Sequence, residues 1–384
     1  MAGPPTDELI DEYLRKRLMP VEGAIPHIQG IEMYGNSIPA GTVGGDLFEY
    51  INFQQRYDLD ARIRRAKRLS DQFLQSHASG APGHTSVDEQ VEWLKARADF
   101  RPEMETAYRQ ARSLEQVRVG ENLEQLYTTA GVLLVDAQGH GLISAKIAST
   151  VHDTFHAFML SELDRYGRTT PELFDWINLR LARSVTARNA LAIGTNGGAR
   201  EIATMLYGEV RPSGHFRFVN FGHPPPLVFS SREGRFTKVD PGRMVQFLPL
   251  GLEVPEDHPD RKRYSSMAFR QRRAGDSDVA EIALIRPGDL LFLYTDGIYD
   301  GGDENERLAL EELMRDVCKR SAREICRAVL DRAVKLDELH RANGEEDLVD
   351  DKTVVIIKAA ERCCAESPGG RYVATPTWRQ AIGP

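Results

Sequence analysis

Residues 41–53 read GTVGGDLFEYINF, and residues 128–141 read TTAGVLLVDAQGHG. In the first stretch glycines give way to an apolar, aromatic run, which predicts a strand from about Leu47 to Phe53. In the second, the run GVLLV is bounded by turn signals and predicts a buried strand over about 130–135. Each run carries an aspartate at one end. Asp46 immediately precedes the first strand and Asp136 immediately follows the second. In an antiparallel pair the start of one strand lies beside the end of the other. Asp46 and Asp136 then become neighbours in space, although far apart in sequence.

The same arrangement recurs later in the chain. Asp296 immediately follows LLFLYT, and Asp350 immediately precedes a strand that begins near Thr353. Pairing these two strands across the helical region 306–340 brings Asp296 to Asp350, so four carboxylates gather on one edge. Close carboxylates repel one another unless cations sit between them. An oxygen-rich set suits hard divalent ions, Mg²⁺ or Mn²⁺. Two such ions can lower the pKa of a water and clamp phosphoryl oxygens, which is the chemistry of phosphate ester hydrolysis without a covalent intermediate. Taken singly, each aspartate is weak evidence, since an aspartate at a strand end is more often a turn residue or a cap; their joint placement is what raises the functional reading.

Outward from these strands, Leu9, Ile10, Tyr13, Leu14 and Leu18 fall at helical spacing over 7–18, and Pro20 stops the run. Residues 56–127 are charged and helical in period, with helices predicted near 59–76, 87–99 and 103–127 and a breaker, HASGAPGHTS, at 77–86. This insertion joins the far ends of its two strands. A strand of about seven residues spans roughly 23 Å, so the insertion is expected well away from the aspartates. It reads either as a helical elaboration packed on the body or as a dimerisation or regulatory element. Further helices are expected over 141–164 and 171–188, and strands over 200–210, 215–221 and 225–230. The stretch EIALIRPGDLLFLYTDG (281–297) gives two strands around a Pro-Gly turn. Residues 253–279 read as a long loop, DDKTVVIIK as a final strand, and 361–384 as a flexible tail.

Composition excludes some classes. The net charge of -8 works against a nucleic-acid binder, whose affinity rests on basic surface. The four cysteines, Cys318, Cys326, Cys363 and Cys364, show neither paired zinc spacing nor a disulfide framework, which points to the cytoplasm. The opening MAGPPTDELI has no basic region followed by an apolar core, and no apolar run approaches the roughly 20 residues of a membrane span.

The motifs GGDLFEY, VDAQGHG, NFGHPPPLVF, LFLYTDG and DDKTVVII occur in the order expected of the bacterial PP2C-like serine/threonine phosphatases of the SpoIIE/RsbU type, which the chain resembles. The lead-in LRKRLMP, the stretch IQGIEMYGNSIPAGTVGGD, and INLRLARS before ATMLYGEV also resemble that family. The likeness covers about 20–55 and 128–358. It implies an α+β fold, an αββα sandwich of two antiparallel sheets flanked by helices, here with an all-helical insertion at 56–127. On this reading residues 1–20 form an N-terminal helix and linker, and 21–360 the phosphatase domain. It also implies two Mn²⁺ or Mg²⁺ ions held by Asp46, Asp136, Asp296, Asp350 and the Ala137 carbonyl, with Asp351 in support. Gly139 and Gly141 would let the loop around His140 turn tightly, and His140 itself would orient rather than act as the acid. Gly222–Pro226 reads as a stiff turn that sets shape. Tyr294 and Thr295 read as the end of a core strand with no chemical part.

The substrate class that the resemblance implies is phosphoserine or phosphothreonine on a STAS-type anti-anti-sigma factor. The short N-terminal helix and the insertion suggest a homodimer. Two rivals stand beside this reading. GGDLF superficially resembles the GG(D/E)EF loop of diguanylate cyclases, but the four other motifs then go unexplained. A catalytically silent scaffold that binds a partner through the helical insertion is the second, although all four aspartates are present.

Overall fold

A computed structural model describes residues 25–77, 92, 95–96, 119–139, 141–170, 172–183, 201–237, 246–252, 280–284, 286–299, 301–345 and 348–360. The predicted helix at 7–18, nearly all of that at 87–99, the loop 253–279, His140 and the tail from 361 lie outside the described residues.

In chain order the elements are β1 (Ile31–Ile38), β2 (Asp46–Asn52), α1 (Phe53–Tyr57), α2 (Leu59–His77), α3 (Val119–Gln125), β3 (Ala130–Ala137), α4 (Leu142–Tyr166), α5 (Glu172–Ala182), β4 (Ala203–Val210), β5 (His215–Phe221), β6 (Leu227–Ser230), β7 (Arg235–Thr237), β8 (Gln246–Phe247), β9 (Ala280–Ala283), β10 (Leu290–Tyr294), α6 (Glu304–Val317), α7 (Ala322–Asn343) and β11 (Lys352–Ala359). The strands make two sheets. One runs β1-β11-β10-β6-β7 and is antiparallel throughout. The other runs β2-β3-β4-β5, also antiparallel, and β5 pairs in addition with β9 and, in parallel, with the two-residue β8.

Period-two alternation sets what each face meets. Phe48, Leu134, Leu206 and Phe216 point between the sheets, where they meet Leu291, Leu293, Val355 and Ile357. The opposite face of the β2–β5 sheet, with Leu47, Val135 and Met205, packs on α4 and α5. The outer face of the other sheet, with Phe292, Val354 and Ile356, packs on α6 and α7. The result is the expected αββα layering. Burial of each such side chain contributes roughly 1.5–3 kcal/mol. β3 and β11 are buried on both faces, which is why they read as unbroken apolar runs rather than alternating ones.

Several boundaries differ from the sequence reading. Phe53 begins a helix rather than ending β2, because the Asn52 side chain accepts the Gln55 N–H and starts the turn. The two strands in 281–297 fall in different sheets: β9 pairs with β5, while β10 pairs with β11 and β6. The Pro-Gly turn therefore carries the chain from one sheet to the other. The helical region 306–340 is two helices, α6 and α7. Ser321 starts the second with a capping box: its hydroxyl accepts the Glu324 N–H and the Glu324 carboxylate accepts the Ser321 N–H. Ser321→Ala should lower stability by about 1 kcal/mol, read as a small drop in thermal midpoint with hydrolytic activity retained.

The insertion leaves β2 at Asn52 and returns to β3 at Ala130, which are register partners. Asp46 and Asp136 are partners at the other end of the same pair, about 20 Å away along the strands. Leu59, Ile63, Val119 and Leu123 of the insertion join the core beneath α4. Its described parts are therefore helical, packed on the body, and remote from the aspartates.

Candidate metal centre

At one end of the sandwich the space between the sheets turns from apolar to polar. β2, β3 and β4 bring Asp46, Asp136 and Thr204 side by side, each the register partner of the next. The facing sheet contributes Thr353 at the start of β11 and Thr295 just past β10, with Asp296 and Asp350 in the adjoining turns. Asp46 and Asp136 are both strand residues, so the sequence reading placed each one position outside its strand.

Asp46 is buried and bridges the sheets. Its Oδ2 accepts from the hydroxyls of Thr295 and Thr353, both at 2.7 Å. Thr353 Oγ1 also lies 2.8 Å from Ser37 Oγ; with its single proton on Asp46, it accepts there from Ser37. Burial, then the charge of Asp136 and of Asp351, push the Asp46 carboxyl well above the usual carboxylate range, and the two threonines act the other way. Asp136 is pushed up to about 7 by burial and then by the charges of Asp296, Asp350 and Asp351, with the Thr204 hydroxyl relieving part of it.

Thr204 links Asp136 to a buried imidazole, for its Oγ1 lies 2.8 Å from His223 Nδ1. Burial lowers the His223 pKa to about 3, so the ring is neutral. The ring also lies near the Tyr294 backbone, and its Nε2 is buried without a formed hydrogen bond. The turn that carries His223 is closed by Asn220, whose side chain accepts the His223 N–H and donates to the His223 carbonyl. The shape-setting turn of the sequence reading therefore also delivers a side chain to within one residue of Asp136.

Asp351 sits behind the aspartates. Its two oxygens accept the backbone N–H of Ala40 at 2.7 Å and of Gly45 at 2.5 Å, and so pin the loop that leads into Asp46. A Cβ at Gly44 would lie 2.4–2.5 Å from that carboxylate, so only glycine lets the loop approach. Lys352 braces the neighbouring turn by donating to the Asp350 carbonyl at 2.6 Å and pairing with Asp337 at 2.7 Å. Gly139 and Gly141, on either side of His140, both take φ of 84°, the left-handed backbone that a tight turn requires. The Ala137 N–H reaches the Gly45 carbonyl at 3.3 Å, which places Ala137 beside the same loop.

The donors at this end are carboxylate, carbonyl and hydroxyl oxygens, which suit hard divalent ions. Among the described residues neither Asp46 nor Asp136 forms an ion pair with a lysine, arginine or histidine, and their mutual repulsion is what cations would relieve. No three of these carboxylates bring an oxygen each within 4.8 Å of one another. They line an edge rather than close on one point.

Thr204, Thr295, Thr353 and His223 were not singled out from sequence. Thr295 in particular touches Asp46, contrary to its reading as a residue that only completes a strand. The available signal was alternation: Thr353 is in phase with the inward-facing Val355 and Ile357, and Thr295 with Leu291 and Leu293.

Comparison with known proteins follows the same lines. Residues 128–360 match the family of Stage II sporulation protein E (SpoIIE). No curated protein matches the chain. Among solved structures, the PP2C phosphatase domain with a regulatory fragment of SpoIIE from Bacillus subtilis is 14% identical with a TM-score of 0.46, over 87% of this chain and 64% of that one. The RsbU and RsbW domains of a Mycobacterium tuberculosis protein are 16% identical with a TM-score of 0.44, over 88% and 63%. The SiaA-PP2C domain of Pseudomonas aeruginosa is 13% identical with a TM-score of 0.44, over 91% and 93%. The chain thus spans less than two thirds of the length of the first two. With more than half of its residues matched to one family and both sheets in place, the chain belongs to the SpoIIE family, the SpoIIE/RsbU type of PP2C-like phosphatase domain.

Proposed function

We propose that the chain is a metal-dependent protein serine/threonine phosphatase. The observation that carries this reading is the row of mutually repelling aspartates at the open end of the sandwich, which runs from buried Asp46 through half-buried Asp136 to exposed Asp296 and Asp350. Asp46, Asp136, Asp296, Asp350 and the Ala137 carbonyl would hold two Mn²⁺ or Mg²⁺ ions. When bound, such ions supply charge neutralisation, a lowered pKa for an attacking water and a clamp on phosphoryl oxygens. The protein's own part is to fix the carboxylates. Thr295 and Thr353 hold Asp46 across the sheets, Thr204 steadies Asp136, and Asp351 sets the loop before Asp46.

For the substrate, the ordered motifs support a phosphoserine or phosphothreonine on a STAS-type regulatory protein in the cytoplasm. Among the described residues no helix is long and apolar enough to cross a membrane. The test is hydrolysis of p-nitrophenyl phosphate, and of a phosphoserine-bearing STAS protein, by chain stripped with chelator and then given Mn²⁺ or Mg²⁺. Turnover should be absent without metal and restored by it. A wild-type chain that binds Mn²⁺ yet hydrolyses neither compound would replace this reading with the silent scaffold.

A further inference from the structure

On the opposite face of β2 from Asp46, three donor atoms converge. Glu49 lies in mid-strand and points at α4, whose His152 and His156 are one turn apart on a single helix face. His152 Nε2 lies 3.0 Å and His156 Nε2 2.6 Å from the same Glu49 oxygen, Oε2. This is the one group of three or more histidine, cysteine or acidic residues, among the described residues, whose donor atoms all lie within 4.8 Å of one another.

The outer atoms of the three side chains are also engaged. His156 Nδ1 is 2.5 Å from the Tyr57 hydroxyl, His152 Nδ1 is 3.3 Å from Asp153 Oδ1, and Glu49 Oε1 is 3.6 Å from an Arg56 nitrogen. Metal-bound histidines almost always direct their second ring nitrogen at such a partner. His152 faces a carboxylate oxygen at each ring nitrogen, so a neutral ring turns one lone pair onto an anion unless a proton or a metal ion lies between. Ligands on one tetrahedral ion at 2.0–2.1 Å stand about 3.4 Å apart, so the two distances from Glu49 to the histidines would need to open by less than about 1 Å.

We infer that Glu49, His152 and His156 form a second metal site, selective for a borderline transition ion and best suited to Zn²⁺. Two imidazoles and one carboxylate favour Zn²⁺ over the hard ions that the all-oxygen centre takes. Three protein ligands leave a fourth position for water. The side chains are 11–17% exposed, so an ion can enter. The site joins β2, the strand that carries Asp46, to α4, which starts just after Gly141. Tyr57 and Arg56 bring in α1, the first helix of the insertion. A bound ion would thus fasten the insertion to the edge of the catalytic sheet.

The experiment uses the full chain, stripped of metal and held in excess Mg²⁺ to fill the oxygen centre. Zn²⁺ is titrated against a chromogenic chelator, and Co²⁺ is bound separately for its visible spectrum. One Zn²⁺ per chain should bind in the wild type and equally in Asp136→Asn. The affinity should fall by about 100-fold or more in His152→Gln, His156→Gln and Glu49→Gln. Co²⁺ in the wild type should give the intense bands of a four-coordinate, imidazole-bound ion, a readout that holds even where a variant folds poorly. Three results overturn the proposal: no Zn²⁺ retained by the wild type against Mg²⁺, Zn²⁺ binding unaffected by the histidine changes, or Zn²⁺ binding lost in Asp136→Asn.

Discussion

Asp136→Asn should reduce metal-dependent hydrolysis of p-nitrophenyl phosphate by about 10³-fold or more, and at the same time make the metal-free protein more stable. The two effects share one cause. Asp136 sits between Asp46 and Thr204 on β3, where burial, and then the charges of Asp296, Asp350 and Asp351, raise its pKa to about 7. In the unfolded chain the same group titrates near about 3.9. A carboxyl whose pKa rises on folding contributes stability that is present below the unfolded value and is lost as pH rises through the folded one. The metal-free wild type should therefore lose stability between about pH 4 and pH 7, and added Mn²⁺ should restore it. Asparagine keeps the shape and removes the charge. Its thermal midpoint in chelator should be higher than wild type near pH 7, nearly flat across that window, and insensitive to Mn²⁺. The loss of rate follows because an ion contributes several kcal/mol of transition-state stabilisation, and each 1.4 kcal/mol is about tenfold. A variant that keeps wild-type turnover, or one whose midpoint still climbs with Mn²⁺ as the wild type does, removes Asp136 from the metal centre.

The aspartate pair was legible because two independent rules agreed. A buried run with an aspartate at its end is common, but antiparallel register converts two such runs into one site, and Asp46 does stand opposite Asp136. The same register put the insertion at the other end of the strands before any helix in it was located. What sequence could not carry is contact between sheets. Thr295 and Thr353 reach Asp46 across the sandwich, a relation between residues nearly 250 and more than 300 positions away. Alternation marks both as inward-facing, yet an inward threonine reads equally as a core residue. His223 was hidden for a different reason. Its proline-rich setting suggests a rigid turn, and nothing local shows that β4 passes beneath it with Thr204 exposed to the ring.

The crossing between sheets at the Pro-Gly turn has a physical cause as well. β9 and β10 flank a Pro-Gly turn that would serve a hairpin, and local chemistry alone cannot distinguish a hairpin from a sheet-to-sheet crossing. The difference lies in which edge each strand finds free. β5 offers an edge to Ile282, while β10 is drawn between β6 and β11. Glu49, His152 and His156 show the same limit. The i, i+4 histidines are visible in the helix from sequence, but their partner lies about 100 positions earlier on an edge strand.

Asp351→Ala should lower the stability of the metal-loaded protein by about 3 kcal/mol and raise the Mn²⁺ concentration needed for half-maximal rate. The Asp351 carboxylate is 3% exposed and accepts two backbone N–H groups, from Ala40 and Gly45. Alanine leaves both donors without a partner beside a loop that already approaches closely at Gly44. Asp46 is the next residue after Gly45, so slack in that loop passes directly to a carboxylate of the centre. An opposing effect decides where the loss is seen. Asp351 also adds negative charge that raises the pKa of Asp46 and Asp136. Removing it relieves repulsion in the metal-free protein and offsets part of the lost hydrogen bonding. With cations in place that repulsion is already cancelled, and the full cost of the two bonds appears. The drop in thermal midpoint should therefore be larger with Mn²⁺ than with chelator, by several degrees for a domain of this size. Equal drops under both conditions would mean that Asp351 acts only as a structural pin, with its charge irrelevant to the centre. No drop in either would mean that the loop before Asp46 is held by other contacts.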